Sequence, residues 1–528
     1  MKNKKIDLLD TTLRDGSQSA GISLSVQDKI KIAKALDDFG ITYIEGGWPG
    51  SNPKDELFFK EAQKIKFKNS MLVAFGSTRR KGIKASEDGN IQALLKSKVK
   101  GVCLFGKSWD LHVTQALRTT NEENLEMISD SVSFLKSKGI KVIYDAEHFF
   151  DGFKNNKDYA MATLKAASDA GAVNLCLCET NGGMLPHEVQ QIVRYVKKEV
   201  PNIPLGIHAH NDADCAVGNS IIAVEEGATL VQGTMNGLGE RCGNADLCSI
   251  IPALQLRLGY RCVSDKNILK LTELSRYFYE IVNVIPRDNQ PYVGLNAFAH
   301  KGGIHVSAVQ RESKTYEHIR PQQVGNERRI LVSELSGRSN ISSKANELSL
   351  DIEKDPKAVA KIIDIVKRLE HEGYQFEDAS GSFSLLTNKA LGKYKPSFEL
   401  KGFKVSVEKE ENGHMISEAT IKLKVGDKEE HTVAEGDGPV NALDNSLRKA
   451  LKKFYPEIKE VSLSDFKVRV INAGASTAAK VRVLVESKDS KSSWGTIGVS
   501  ENIIEASWQA LADALEYKLM KDKIKRKK

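Results

Sequence analysis

An apolar run followed by an amphipathic helical pattern recurs eight times in the first half of this 528-residue chain. Strands are expected at Ile6–Leu13, Ile41–Glu45, Met71–Phe75, Gly101–Phe105, Lys141–Tyr144, Val173–Cys178, Pro204–Ile207 and Thr229–Gln232. Helices follow at Val26–Phe39, Lys54–Lys64, Asn90–Lys96, Glu122–Lys138, Tyr159–Ala170, Pro186–Glu199, Ala216–Glu226 and Leu247–Leu258, the first introduced by Ser25 as an N-cap. Eight such units over roughly 260 residues have the count and length of a (β/α)8 TIM barrel. A doubly wound open sheet is the other arrangement of alternating strands and helices. It fits less well, because no G-x-G-x-x-G turn follows the first strand.

The polar residues fall where a barrel would use them. Arg14 and Asp15, Glu45, Glu147, Glu179 and Thr180, His208 and His210, and the run from Asn236 to Asn244 all stand just after expected strands. Barrel active sites are built at that end. His208 and His210, one residue apart on a strand, point to the same face. Together with a carboxylate they form a mixed nitrogen and oxygen donor set, suited to manganese, zinc or cobalt, with magnesium also possible. The Arg14-Asp15 pair suits a bound metal beside a developing negative charge.

Bulk properties exclude several classes. A formal charge of +8 is spread over lysines along the chain, apart from the run Lys521–Lys528, which reads as a solvated helix end and gives no nucleic-acid role. No apolar run is long enough for a membrane span, and Met1–Lys5 leads straight into a strand without a secretory core, so a cytoplasmic location is expected. Seven cysteines without a C-x-x-C pair give no disulfide framework and no structural zinc site. Cys176 and Cys178, alternating on a strand, read as reduced barrel-lining residues. Arg79, Arg80 and Lys81 are candidate pyrophosphate partners, although an exposed basic triplet is more often simply solvated.

Four segments carry a family resemblance. Asp10–Gly16 (DTTLRDG), His208–Asp212 (HAHND), Asn236–Ala245 (NGLGERCGNA) and Asn296–His305 (NAFAHKGGIH) together resemble the 2-isopropylmalate synthase, homocitrate synthase and citramalate synthase family. The resemblance spans essentially the whole chain. Glu45–Asp55 (EGGWPGSNPKD) and Asp145–Gly152 (DAEHFFDG) look like the citramalate synthase branch, since isopropylmalate synthases usually differ at both places.

The resemblance implies an acyltransferase that condenses acetyl-CoA with a 2-oxo acid on a divalent metal and then hydrolyses the thioester. In the citramalate branch the acceptor is pyruvate and the product feeds isoleucine biosynthesis. Carried over by position, the metal ligands are Asp15, His208, His210 and Asn244, with Mn2+ the first choice and Mg2+, Co2+ or Zn2+ as alternatives. Arg14 would stabilise the alkoxide, Thr180 would bind the substrate carboxylate, and Glu147 with His305 would serve proton transfer at the thioester methyl. His148 and His300 compete for that last role. The alternatives are a 2-isopropylmalate synthase taking 2-oxoisovalerate, and a catalytically silent barrel that senses an amino acid. The intact set of Arg14, Asp15, His208, His210 and Asn244 argues against the silent barrel.

The expected division is a catalytic barrel over 1–275, a mostly helical lid and linker over 276–395, and a C-terminal α+β regulatory domain over 396–528. Helices are expected at Asn267–Val284 and Lys354–Glu372. In relatives the segment Asn296–Val309 acts as a lid over the partner's active site, which implies a homodimer. In the last part an extended segment and a helix occur twice: Ala442, Leu447 and Ala450-Leu451 match Ala506, Leu511 and Ala514-Leu515. This duplicated βββα unit resembles the family's allosteric domain. The implied effector is isoleucine, its carboxylate held at the helix opening near Gly436–Gly438.

Overall fold

The computed structural model describes residues 3–333, 335–348, 356–411, 413–471 and 478–526. Eight parallel strands close in chain order into a barrel: β1 (Asp7–Asp10), β2 (Tyr43–Glu45), β3 (Met71–Ser77), β4 (Gly101–Lys107), β5 (Lys141–Glu147), β6 (Asn174–Glu179), β7 (Leu205–Ala209) and β8 (Leu230–Gly233). Closure is made by β1 against β8, with Leu8 opposite Val231 and Asp10 opposite Gly233. The expected TIM barrel is the observed fold.

Local signals set the helices. Val26–Phe39 opens on a capping box, in which Ser25 accepts from the Asp28 amide and Asp28 accepts from the Ser25 amide. It stops at Gly40, whose φ of 95° lies in the left-handed region that glycine enters without penalty. Its apolar face, with Ile32, Ala33, Leu36 and Phe39, is buried in the layer between helices and strands. Full burial of one such side chain is worth about 1.5–3 kcal/mol.

The two-residue period of the strands separates two cores. Leu8, Val102, Val142, Leu175, Ile207 and Val231 face the helices. The alternate positions Leu9, Val73, Cys103, Ile143, Cys176, Cys178 and Leu230 fill the lumen as an apolar plug. Two residues further along, the same inward rows carry Phe75, Phe105, Asp145, His208 and Gln232, so the chemistry sits directly on the plug. All seven cysteines are free.

The chain forms two compact units, 1–298 with 319–327, and 299–318 with 328–528. The region expected as lid and linker, 276–395, is shared between them. The helix expected at Asn267–Val284 is two pieces, Asp265–Ile268 and Leu271–Val282. In the second unit, β9 (Ala299–His300) pairs with β10 (Arg329–Ile330). Helices Arg338–Glu347, Pro356–His371 and Ser380–Ala390 share a core with Ile497 and Val499. Lys354, the expected start of one of them, lies outside the described residues, as do Lys527 and Lys528 of the basic tail.

The duplication is present in three dimensions. Antiparallel β11 (Glu399–Lys409), β12 (Met415–Val425) and β13 (Lys428–Gly436) precede helix Pro439–Leu451; β14 (Ser462–Val470), β15 (Val481–Lys488) and β16 (Ser493–Ser500) precede helix Ile503–Arg526. The matched residues Ala442 and Ala506, Leu447 and Leu511, and Leu451 and Leu515 are all buried in one core. No helix among the described residues is long and apolar enough to cross a membrane.

Candidate active site

A cavity of about 220 Å3 opens at the carboxyl ends of the barrel strands, lined by Arg14, Asp15, Glu147, Thr180, His208 and His210, by Trp48, Phe75 and Phe105, and by Gln18, Asp145, Cys178, Glu240 and Arg241. Asp15 Oδ2 lies 3.3 Å from His208 Nε2 and 3.8 Å from His210 Nε2, and the two Nε2 atoms are 3.3 Å apart. All three side chains are buried. The backbone of Asn244 bridges that of His210. Asn244 Oδ1 is buried without a hydrogen-bond partner.

This set fits a divalent cation. A carboxylate, two imidazole nitrogens and an orphaned amide oxygen supply donors of the required types and leave room for substrate oxygens. Burial works against the charge on Asp15, yet Arg14 and both histidines hold its carboxyl well below the usual carboxylate range. Burial and the neighbouring His208 push His210 down to about 3, so its imidazole is neutral at ordinary pH. The other carboxylate and thiol groupings in the lumen are poorer candidates. Burial pushes Cys176 well up and Cys178 up to about 11, which leaves both as neutral thiols.

Behind His208 runs a chain of buried groups that motif reading missed. His208 stands opposite Gln232 in the β7–β8 register, and its Nδ1 is 2.9 Å from Gln232 Oε1. Gln232 Nε2 donates to Asp145 Oδ1 at 2.7 Å. The amide is thereby oriented with its oxygen toward His208 and accepts the Nδ1 proton, while Nε2 faces Asp15 and is the nitrogen that would bind the metal. Burial first, and then the charge on Glu45, raises Asp145 to about 7. An isolated Gln in an apolar strand carries no signal of this role. Only strand register reveals it.

Arg14 is held from two sides. Its Nε donates to Glu45 Oε2 at 2.6 Å, Nη1 is 3.4 Å from Asp15, and the guanidinium lies 3.8 Å over the Phe75 ring. Burial opposes its charge, but Glu45 and Asp15 more than compensate and raise its pKa. Glu147 lines the same cavity and pairs with Lys107. Thr180 Oγ1 accepts from the His148 amide at 3.0 Å. His148 itself has a positive φ of 57° and packs its ring 4.1 Å from that of His112.

The remaining candidates have local partners of their own. His305 is exposed on helix Gly303–Arg311 of the second unit, its ring 4.2 Å from Tyr316. His300 Nε2 is 3.2 Å from Glu317, which also binds Arg328. Arg79 is not an exposed basic residue: it is buried and paired with Glu123 and Asp130 at 2.8 and 2.9 Å.

Comparisons with known proteins agree with this architecture. Residues 5–277 match the family described as HMGL-like. Residues 292–373 match a homocitrate synthase post-HMGL domain-like family, and 378–519 the LeuA allosteric (dimerisation) domain. The chain is 56% identical to the (R)-citramalate synthase of Geobacter sulfurreducens and 55% identical to that of Aquifex aeolicus, with 98% of each chain covered in both cases. It is 31% identical to a probable 2-isopropylmalate synthase of Methanopyrus kandleri, over 96% of this chain and 97% of that one. With a barrel carrying a carboxylate and two histidines at its carboxyl end, a duplicated C-terminal domain, and relatives above half identity along nearly its full length, the chain belongs to the HMGL-like family and, within it, groups with the (R)-citramalate synthases.

Proposed function

We infer that the chain joins the acetyl group of acetyl-CoA to pyruvate and releases citramalate and CoA. The observation that carries this reading is the cavity itself: a carboxylate and two imidazoles converge beside a partly buried guanidinium, and three aromatic rings line the space in front of them. Asp15, His208, His210 and Asn244 would hold the divalent ion, with Mn2+ first and Mg2+, Co2+ or Zn2+ as alternatives. That ion supplies Lewis-acid polarisation of the 2-oxo acid.

The chain's own groups divide the remaining work. Thr180 Oγ1 already accepts from His148 N, which leaves its hydroxyl hydrogen to donate to the pyruvate carboxylate. Glu147, held by its pairing with Lys107, takes a proton from the thioester methyl. The resulting carbon nucleophile attacks the pyruvate carbonyl carbon, and the carbonyl electron pair moves onto oxygen. Arg14, fixed by Glu45, faces that developing negative charge. His305, on the lid segment of a second copy, completes the proton transfer before water cleaves the thioester.

The LeuA-type domain supports dimerisation and regulation. We assign isoleucine as the effector and the cytoplasm as the location, with no nucleic-acid or membrane partner. The test of the reaction is thiol release from acetyl-CoA with pyruvate, 2-oxobutyrate, 2-oxoisovalerate and 2-oxoglutarate. Pyruvate is expected to have the highest kcat/KM, and preference for 2-oxoisovalerate overturns the assignment. Isoleucine is tested by titration against the full chain, because a cut near residue 395 would divide the core that Ser380–Ala390 shares with Ile497 and Val499. Absence of both binding and inhibition removes it as the effector.

A further inference from the structure

The run Glu45–Asp55, one of the segments that carry the family resemblance, forms a braced loop beyond the second strand. Beyond β2 the chain turns through Gly46 and Gly47, the latter at φ 143°, where a Cβ would collide with the Asp55 carboxylate. Asp55 Oδ2 accepts from the Trp48 amide at 2.9 Å and from Asn52 at 3.2 Å. Its Oδ1 pairs with Lys29, whose Nζ also donates to the Gly46 carbonyl at 3.3 Å. Lys29 and Asp55 are both buried. A buried ion pair recovers its desolvation cost only when its geometry is well satisfied, and here each partner also binds the backbone of the loop.

The loop presents one large side chain to the cavity. Trp48 Nε1 donates to Asn90 Oδ1 at 2.6 Å, and Asn90 is oriented by its own donation to the Ser77 carbonyl at 2.7 Å. The indole meets Phe75 and Phe105 edge-on, at 5.7 and 5.5 Å between centroids, and these two rings stack on each other at 5.0 Å. Phe75 in turn lies under Arg14. Trp48 is thus fixed at its backbone, its indole nitrogen and its ring edge, and its free surface looks into the cavity that holds Asp15 and both histidines.

We propose that Trp48 sets the upper size of the acceptor 2-oxo acid, with Asn90 and the Lys29–Asp55 pair as its positioning residues; this rests on the reading of the site given above. The acceptor's carboxylate and carbonyl point to the donor set and Arg14, so its alkyl group points to the aromatic wall. A methyl group fits there. Each added carbon meets a ring that cannot swing away without breaking the Asn90 hydrogen bond.

The test compares the wild-type chain with Trp48→Ala, Trp48→Phe and Asn90→Ala. For each, kcat and KM are measured with pyruvate, 2-oxobutyrate and 2-oxoisovalerate, and Mn2+ affinity by titration. Trp48→Ala should raise the kcat/KM ratio of 2-oxoisovalerate to pyruvate by about 10- to 100-fold, the range that one or two methylenes are worth in a pocket. Asn90→Ala should shift the ratio the same way by less, mostly through KM, with Mn2+ affinity unchanged. If Trp48→Ala does not fold, Trp48→Phe and Asn90→Ala carry the test. An unchanged ratio in the folded variants overturns the proposal, as does a loss of Mn2+ affinity that accounts for the shift. A wild-type chain that does not use pyruvate instead overturns the reading of the site.

Discussion

Replacing Gln232 by Leu should weaken metal binding even though Gln232 touches neither metal nor substrate. The side chain holds His208 Nδ1 at 2.9 Å and Asp145 Oδ1 at 2.7 Å, in a part of the lumen where all three groups are buried. Leucine keeps much of the volume but leaves an imidazole N–H and a carboxylate oxygen without partners. Each such loss costs about 1–3 kcal/mol, so stability without metal should fall by about 2–6 kcal/mol. Without the amide oxygen, His208 is free to place its proton on Nε2 and to rotate. Loss of a partner of this kind typically reduces metal affinity 10- to 100-fold. A central value of about 30-fold corresponds to RT ln 30, about 2 kcal/mol, which is also the reduction expected in metal-linked stabilisation at a fixed Mn2+ concentration well above both dissociation constants. The assay is a Mn2+ titration followed by electron paramagnetic resonance, with thermal unfolding recorded in chelator and in Mn2+. Wild-type Mn2+ affinity in a folded Gln232→Leu chain would refute the relay.

Three other outcomes separate the roles within the site and the scaffold. Asp15→Asn should lower Mn2+ affinity by at least tenfold, whereas Arg14→Ala should leave Mn2+ affinity within threefold and lower kcat by about 100-fold or more; equal metal loss in both would merge their roles. Glu147→Gln should cost about 100-fold in kcat with metal binding intact, and near-normal turnover would remove it from proton transfer. Asp37 is buried and accepts from the amides of Lys68, Asn69 and Ser70, which overcomes its burial and holds its carboxyl below the usual range. Its contribution is therefore complete above the unfolded carboxylate value of about 4 and is lost as pH falls through the folded value. Asp37→Asn should destabilise by about 2 kcal/mol at pH 7, and denaturant titrations should show the gap closing under strong acid; a gap that does not depend on pH would refute the assignment.

Most of the architecture was legible because it is written in local periodicity. Two-residue alternation and helix caps such as Ser25 do not depend on distant residues, so the eight strand–helix units and the repeat of Ala442, Leu447 and Leu451 in Ala506, Leu511 and Leu515 could be read along the chain. Arg14, Asp15, Glu147, Thr180, His208 and His210 were legible for a related reason. A barrel gathers the ends of all its strands at one face, so polar residues after strands converge whatever their separation in sequence.

What the chain order could not give was pairing across strands. That Arg14 is held by Glu45, and that His208 is oriented by Gln232 and Asp145, depends on register and on inward alternation over strands far apart in sequence. Arg79 reads as a solvated cation until Glu123 and Asp130 are brought against it. His305 stands in the second unit beside Tyr316, a neighbour that no spacing rule selects. The sequence by itself determined which chemical groups this protein owns and the fold that gathers them, since both follow from short-range pattern. Tertiary structure alone decided which group fixes which, and why a tryptophan beyond the second strand faces the cavity, because burial and hydrogen-bond partnership are properties of distant segments brought together.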